Sequence, residues 1–161
     1  IEPGTNSRLD TLQAAILHKK LPHLAGWNAS RLEIAQQYDR ELEPLNSLGI
    51  TPMENQSGDG HVYHLYVIKV DEQCPLQREE IQEKLGSVGI QTGIHYPIPC
   101  HLQPAFKDLG YKIGDFPHSE NLAKQILSLP MYPGLTSSQV KEVVAVIASV
   151  VSERQYKLLH V

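Results

Sequence analysis

The sequence predicts an α+β fold in which a small sheet is covered by helices on one face. Apolar residues recur at helical spacing through several long stretches, and short runs rich in Val, Ile and Tyr lie between them. Segments rich in Pro and Gly punctuate the two kinds. The order read from this pattern is helix, helix, strand, helix, strand, helix, helix, strand, helix, with strands at about 61–70, 90–96 and 127–131. With 161 residues, 41% of them hydrophobic, the chain is long enough to bury one core and reads as one domain, 1–161.

The first helix is expected to start near Arg8, because Ser7 and Asp10 stand at the spacing of a capping box. Leu9, Leu12 and Ile16 then share a face, and Ala14 and Ala15 leave room for close packing. Pro22 interrupts the pattern, so either a second helix starts there or the first one kinks. Leu24, Trp27, Arg31, Ile34, Ala35, Tyr38 and Leu42 continue at helical spacing to an end near Pro44, with Trp27 as a core or interface anchor. From Asn46 to Gly60 the composition marks a loop. His61 to Val70 reads as a strand with Val62, His64, Tyr66 and Ile68 on one face and Tyr63, Leu65 and Val67 on the other. Bulk on both faces makes it central.

Leu76, Ile81, Leu85 and Val88 mark the next helix, whose charged outer face is solvated and whose C-terminal stop is Gly89. Ile90 to Tyr96 is a second strand, running into Pro97 and Pro99. Those prolines offer no backbone donors, so an exposed, stiff loop follows. His101 to Leu109 suggests a short helix stopped at Gly110, Asn121 to Leu127 another, and Ser128 to Met131 a brief strand. Thr136 and Gln139 form a capping box at the head of the last helix. Val140, Val143, Val144, Ile147, Val150 and Val151 line one face of that helix toward Arg154, packing overriding the modest helix propensity of β-branched residues.

A net charge of −4 gives no basic footprint, so neither nucleic acid nor an anionic membrane surface is expected as a partner. Cys74 and Cys100 are too few for a disulfide framework, and no apolar run approaches the roughly twenty residues that span a bilayer. A reducing, cytoplasmic compartment is expected. Among eight histidines, His61, His64, His95 and His101 are the one cluster worth testing as metal ligands. Three residues apart on a strand, His61 and His64 would face opposite ways without a neighbouring carboxylate, so no metal is expected. Cys100 beside His101 does not make a nucleophile pair, since such partners come from distant sequence. Gly-x-Gly-x-x-Gly, P-loop and Gly-x-Ser-x-Gly patterns are absent.

Gly4, Asn6, Arg8, Leu9, Asp10, Gln13, Ala14, Ala15 and Leu17 follow the pattern Gly-x-Asn-x-Arg-Leu/Met-Asp-x-x-Gln-Ala-Ala-x-Leu. The stretch resembles the DegT/DnrJ/EryC1/StrS family of sugar aminotransferases, pyridoxal-phosphate enzymes that aminate keto sugars carried on nucleotides. The likeness continues through Trp27 and Arg31, Tyr63-His64-Leu65-Tyr66, His95-Tyr96-Pro97-Ile98-Pro99-Cys100-His101, Phe116-Pro117-His118-Ser119-Glu120 and Leu127-Ser128-Leu129-Pro130-Met131, nearly the whole chain. It implies that 1–161 is the small C-terminal domain of a fold-type I aminotransferase, a fragment without its cofactor-binding large domain. The parent would be a homodimer that moves an amino group, usually from glutamate, to a nucleotide-linked keto sugar.

In the family the Schiff-base lysine and the acid that protonates the pyridine nitrogen precede this segment. The resemblance therefore implies pyridoxal phosphate in the parent, none covalently bound to this chain, no catalytic residue here and an inactive isolated fragment. Residue by residue it implies Asn6 at the cofactor phosphate of the neighbouring subunit, and Arg8, near the same boundary, toward the substrate. His95 and Tyr96 fall in a loop by the active-site mouth, where they would meet the substrate. Capping by Asn6 and simple packing by His95 and Tyr96 are the competing readings, and Ser128-Leu129-Pro130 reads as a strand end. For the whole chain the alternatives are a stand-alone α+β binding or oligomerisation module, or a sugar dehydratase relative.

Overall fold

The structure, a computed structural model, describes residues 8–160. Helix α1 (Thr11–Lys20) begins at Thr11 and not near Arg8, because Asp10 is itself the N-cap. Its extended backbone lets the carboxylate accept from the Gln13 N–H at 2.9 Å, the bond a cap residue makes to an unpaired first-turn donor. Ser7, the other half of the expected box, lies outside the described residues. Pro22 neither opens the second helix nor simply kinks the first. It sits in a 3₁₀ turn, Leu21–His23, that joins α1 to α2 (Leu24–Leu42) along a right-handed helical path. α1 buries none of its residues, whereas α2 buries Ile34, Ala35, Tyr38 and Leu42. Trp27 is half-buried, stacked on His23 with ring centroids 5.7 Å apart.

The sheet is antiparallel, with strands β1 (Ile50–Pro52), β2 (Tyr66–Val70) and β3 (Ile126–Leu129) in the order β1-β2-β3. β2 is central, as its bulk on both faces predicted. Two of the expected strands are corrected. β1 lies in the stretch read as a loop, where three residues between turn formers are too few to show a two-residue period. Gly49 enters it at φ 77°, and a side chain there would collide with the Asp71 carboxylate and the Cys74 amide. The segment 90–96 forms a single bridge, Gly93 to Ser128, and no strand. Likewise only the second half of 61–70 pairs, and Tyr63 at φ 48° breaks the extended run before it.

The register pairs Ile50 with Val70, Ile68 with Leu127 and Tyr66 with Leu129, which puts all six on one face. Helices α2, α3 (Arg78–Ser87) and α5 (Ser137–Leu159) cover that face, with Ile81, Leu85, Val140, Val143, Val144, Ile147 and Val151 in the same core. α5 carries the expected capping box, Thr136 N–H donating to Gln139 Oε1 at 2.9 Å and Gln139 N–H to Thr136 Oγ1 at 3.3 Å. α3 ends at a left-handed Gly89, as expected. The helix expected over 101–109 resolves into two 3₁₀ turns, Cys100–Leu102 and Pro104–Leu109, because Pro104 withholds a donor between them. α4 (Pro117–Gln125) starts earlier than Asn121, with proline in its first turn where no intrahelical donor is needed.

Two polar contacts hold this frame. The Tyr38 and Tyr66 rings stack at 4.6 Å, and the Tyr66 hydroxyl donates to Asp39 Oδ1 at 2.6 Å. Burial pushes both phenols well above the ordinary tyrosine range. Arg78, 8% exposed, donates to the carbonyls of Ala123 at 2.6 Å and Ile126 at 3.4 Å and pairs with Glu79. A cation on the unpaired carbonyls at the end of α4 ties that helix and β3 to the start of α3. Replacing Ile68, fully buried in β2, by alanine should cost about 2–5 kcal/mol. Tyr66→Phe keeps the ring and should cost about 1 kcal/mol. Shifted denaturant midpoints with unchanged slopes are the readout, and a loss under about 1 kcal/mol for Ile68→Ala would contradict this packing.

Candidate functional site

On the side of β3 away from β2, the loop after Gly93 and the helix α4 enclose a cleft of about 470 Å³. His95, Tyr96, His101 and Ser119 give its polar walls, and Ile98, Phe116, Leu122 and Ile126 its apolar floor. Gly93 starts the loop by exchanging both backbone hydrogen bonds with Ser128, at 3.0 and 2.8 Å. His95 then folds back, its Nδ1 2.9 Å from the Ser128 hydroxyl. A Cβ on Gly93 would lie 2.7 Å from His95 Cε1, so the ring occupies space that only glycine leaves open. Tyr96 stands 65% exposed beside it, the two rings edge to face at 5.7 Å. Pro97 and Pro99 keep this pair at the rim, since neither can donate to a ladder that would draw the loop into the sheet.

The far wall is braced by Glu120 in α4. Its carboxylate accepts from Gly114 N–H at 2.8 Å, from Phe116 N–H at 3.4 Å and from His101 Nε2 at 3.1 Å. The backbone donor of Gly114, followed by the backbone donor of Phe116 and the imidazole of His101, holds the carboxyl below its ordinary range. His101 is nearly buried, packed on Phe116 at 4.8 Å with Tyr111 edge-on at 6.4 Å. One acid thus joins the 3₁₀ turn at Cys100–Leu102, the Gly114 turn and the first turn of α4.

Of the residues singled out from sequence, the structure brings His95 and Tyr96 together at the cleft mouth. Arg8 is exposed ahead of α1 and does not line the cleft, and Asn6 lies outside the described residues. His61 and His64 sit in irregular chain before β2, and among the described residues no three His, Cys, Asp or Glu gather as a metal set. Cys100 is exposed. Sequence reasoning missed Ser128, Glu120 and Gly93 as site-building residues. Glu120 in the first turn after Pro117 had a visible helix-start signature, whereas Ser128 is 33 positions from His95 and had none.

The cleft's donor set does not fit pyridoxal phosphate. Among the described residues, no lysine or arginine lines it, so it offers neither an amine for a Schiff base nor a cation for a phosphate. Two imidazoles, a phenol, a hydroxyl and an apolar floor suit an uncharged group with oxygens on one side and carbon on the other.

A small antiparallel sheet with one face under helices, and a His-Tyr-Pro loop beside a cleft at its outer edge, define an α+β domain. The pattern of the DegT/DnrJ/EryC1/StrS aminotransferase family matches residues 1–148, and the chain belongs to that family. It is 44% identical over 142 residues to the erythromycin biosynthesis sensory transduction protein EryC1 of Saccharopolyspora erythraea, covering 88% of this chain and 37% of that one. It is 38% identical over 141 residues to dTDP-3-amino-3,4,6-trideoxy-alpha-D-glucose transaminase of Streptomyces venezuelae, covering 88% and 35%. Its fold is similar to the crystal structure of S. venezuelae DesV in complex with a ketimine intermediate, with a TM-score of 0.81, 35% identity, and 93% of this chain aligned to 38% of that one. The chain spans somewhat over a third of the length of these relatives.

Glu120 makes the stability of this wall pH-dependent. A carboxyl held below its unfolded value contributes stability that is complete above about pH 4.5 and is lost as pH falls through the lower folded value. The stability difference between the wild type and Glu120→Gln should therefore close progressively in acid. Urea melts on either side of that range are the measurement, and an unchanged difference would show that the Glu120 charge does not brace the loop.

Proposed function

We propose that this chain is the C-terminal domain of a pyridoxal-phosphate-dependent aminotransferase that moves an amino group from glutamate to a nucleotide-linked keto sugar. The observation that supports it most directly is the His95-Tyr96 rim, held against β3 in a family whose named members include a dTDP-sugar transaminase. When bound, pyridoxal phosphate supplies the electron sink for amino transfer. The cleft described above would not hold it, so the lysine and the phosphate donors are assigned to other segments of the enzyme and to the neighbouring subunit. His95 and Tyr96 bind and orient the sugar, and the apolar floor excludes water around it.

Asn6 is proposed at the cofactor phosphate across a homodimer boundary, and Arg8 beside it toward the substrate. Supporting that boundary, α1 leaves Leu12 72%, Ile16 48% and Leu17 55% exposed, an apolar face of the kind that packs on another subunit or domain. The proposed setting is the cytoplasm, in keeping with two free cysteines. Among the described residues no helix is long and apolar enough to cross a membrane.

The enzyme that carries this chain, saturated with pyridoxal phosphate, should produce 2-oxoglutarate from glutamate in the presence of a dTDP- or UDP-linked keto sugar. His95→Ala should lower kcat/KM about ten- to a hundredfold, the loss of one or two substrate hydrogen bonds. No turnover with keto sugars on either nucleotide would count against the reading. Asn6→Ala should weaken cofactor retention by roughly ten- to a hundredfold without altering the melt, as read by dialysis and absorbance.

A further inference from the structure

Ser128 is a polar residue in an apolar place. It lies between Leu127 and Leu129 in β3 and is 4% exposed. Its main chain is committed at the sheet edge, the N–H donating to Gly93 O at 2.8 Å and the carbonyl accepting from Gly93 N–H at 3.0 Å. Strand alternation turns its hydroxyl away from Leu127 and Leu129, out of the core under the helices. There, among the described residues, its hydrogen-bond partner is His95 Nδ1 at 2.9 Å.

Two proton arrangements satisfy that distance, and they are unequal. A hydroxyl has one donor and two lone pairs, while a neutral imidazole has one proton for two nitrogens. A proton on Nδ1 would donate to the serine and leave the buried Ser128 O–H without an acceptor. A proton on Nε2 lets Ser128 donate to Nδ1 and leaves only a spare lone pair. Orphaning a buried donor is the costlier of the two, which favours the second arrangement by roughly ten- to a hundredfold. A half-turn of the ring would put Cδ2 in place of Nδ1 opposite the hydroxyl and leave the buried Ser128 O–H without its acceptor, so the ring does not escape the choice by flipping.

We infer that Ser128 is a positioning residue that holds His95 as the Nε2–H tautomer, so that this exposed ring presents a hydrogen-bond donor, and not a base, at the cleft mouth. This rests on the proposed sugar aminotransferase reading for its ligand, which the donor would contact at an uncharged sugar oxygen, a hydroxyl or the carbonyl. His95 then recognises and polarises the sugar and takes no proton from it.

Ring-nitrogen NMR shifts of His95 in the isotopically labelled chain, which distinguish a protonated from a bare ring nitrogen, test the assignment directly. The wild type should show a protonated Nε2 and a bare Nδ1, Ser128→Ala an averaged pair of tautomers, and Ser128→Thr, which restores the hydroxyl, the wild-type pattern. A protonated Nδ1 in the wild type overturns the inference without any variant. An unchanged pattern in Ser128→Ala does so as well. In the pyridoxal-phosphate-loaded enzyme, Ser128→Ala should raise KM for the keto sugar about tenfold with a smaller change in kcat, and Ser128→Thr should recover it. Full activity of Ser128→Ala would overturn the substrate role of the tautomer. An enzyme inactive on every keto sugar, yet with the expected tautomer, counts against the proposed function and supports the role of the serine.

Discussion

The structure depends on one constraint: a three-stranded sheet with a single apolar face must have that face covered. Ile50, Tyr66, Ile68, Val70, Leu127 and Leu129 make the face, and α2, α3 and α5 supply the cover. Removing such side chains from water is the main favourable term in folding a chain of this size. Tyr38 and Tyr66 show how closely cover and sheet are matched, since their stacked rings bury two phenols whose hydroxyls must still find partners. The Tyr66 hydroxyl finds Asp39 and the Tyr38 hydroxyl donates to the Pro130 carbonyl at 3.1 Å.

With three helices on one face, the other face and the outer edge of β3 are left for shorter pieces of chain. That is where the cleft forms. Among the described residues, the outer edge of β3 is bridged only by Gly93, because the prolines that follow cannot extend a ladder. Arg78 fixes the end of α4 and the start of β3 from the core side, and Glu120 fixes the start of α4 to the loop from the outer side. The nine-residue helix is thus pinned at both ends by charged hydrogen bonds, and the rim carrying His95 and Tyr96 is set between them.

Site chemistry follows from the same division of faces. Alternation along β3 sends Leu127 and Leu129 into the core and Ser128 out of it, so one residue type changes meaning by its register alone. As a strand end, Ser128 is unremarked in the linear pattern. As the partner of His95, it decides which ring nitrogen faces the cleft.

Much of the fold was legible because it rests on local, repeating signals. The helical stripes of α2, α3 and α5, the Thr136–Gln139 cap, the stop at Gly89 and the centrality of β2 follow from spacing within a few turns of chain. So does the exposed proline loop with His95 and Tyr96. What sequence alone could not determine depends on contacts between distant segments. β1 exists because β2 offers it a partner, and 90–96 fails as a strand because only Gly93 can reach β3 while His95 turns back over it. The Ser128–His95 and Glu120–His101 pairs join residues 33 and 19 positions apart, and no periodicity encodes such a pairing. Periodicity records which way a side chain faces along its own element, and the tertiary structure decides what it meets there.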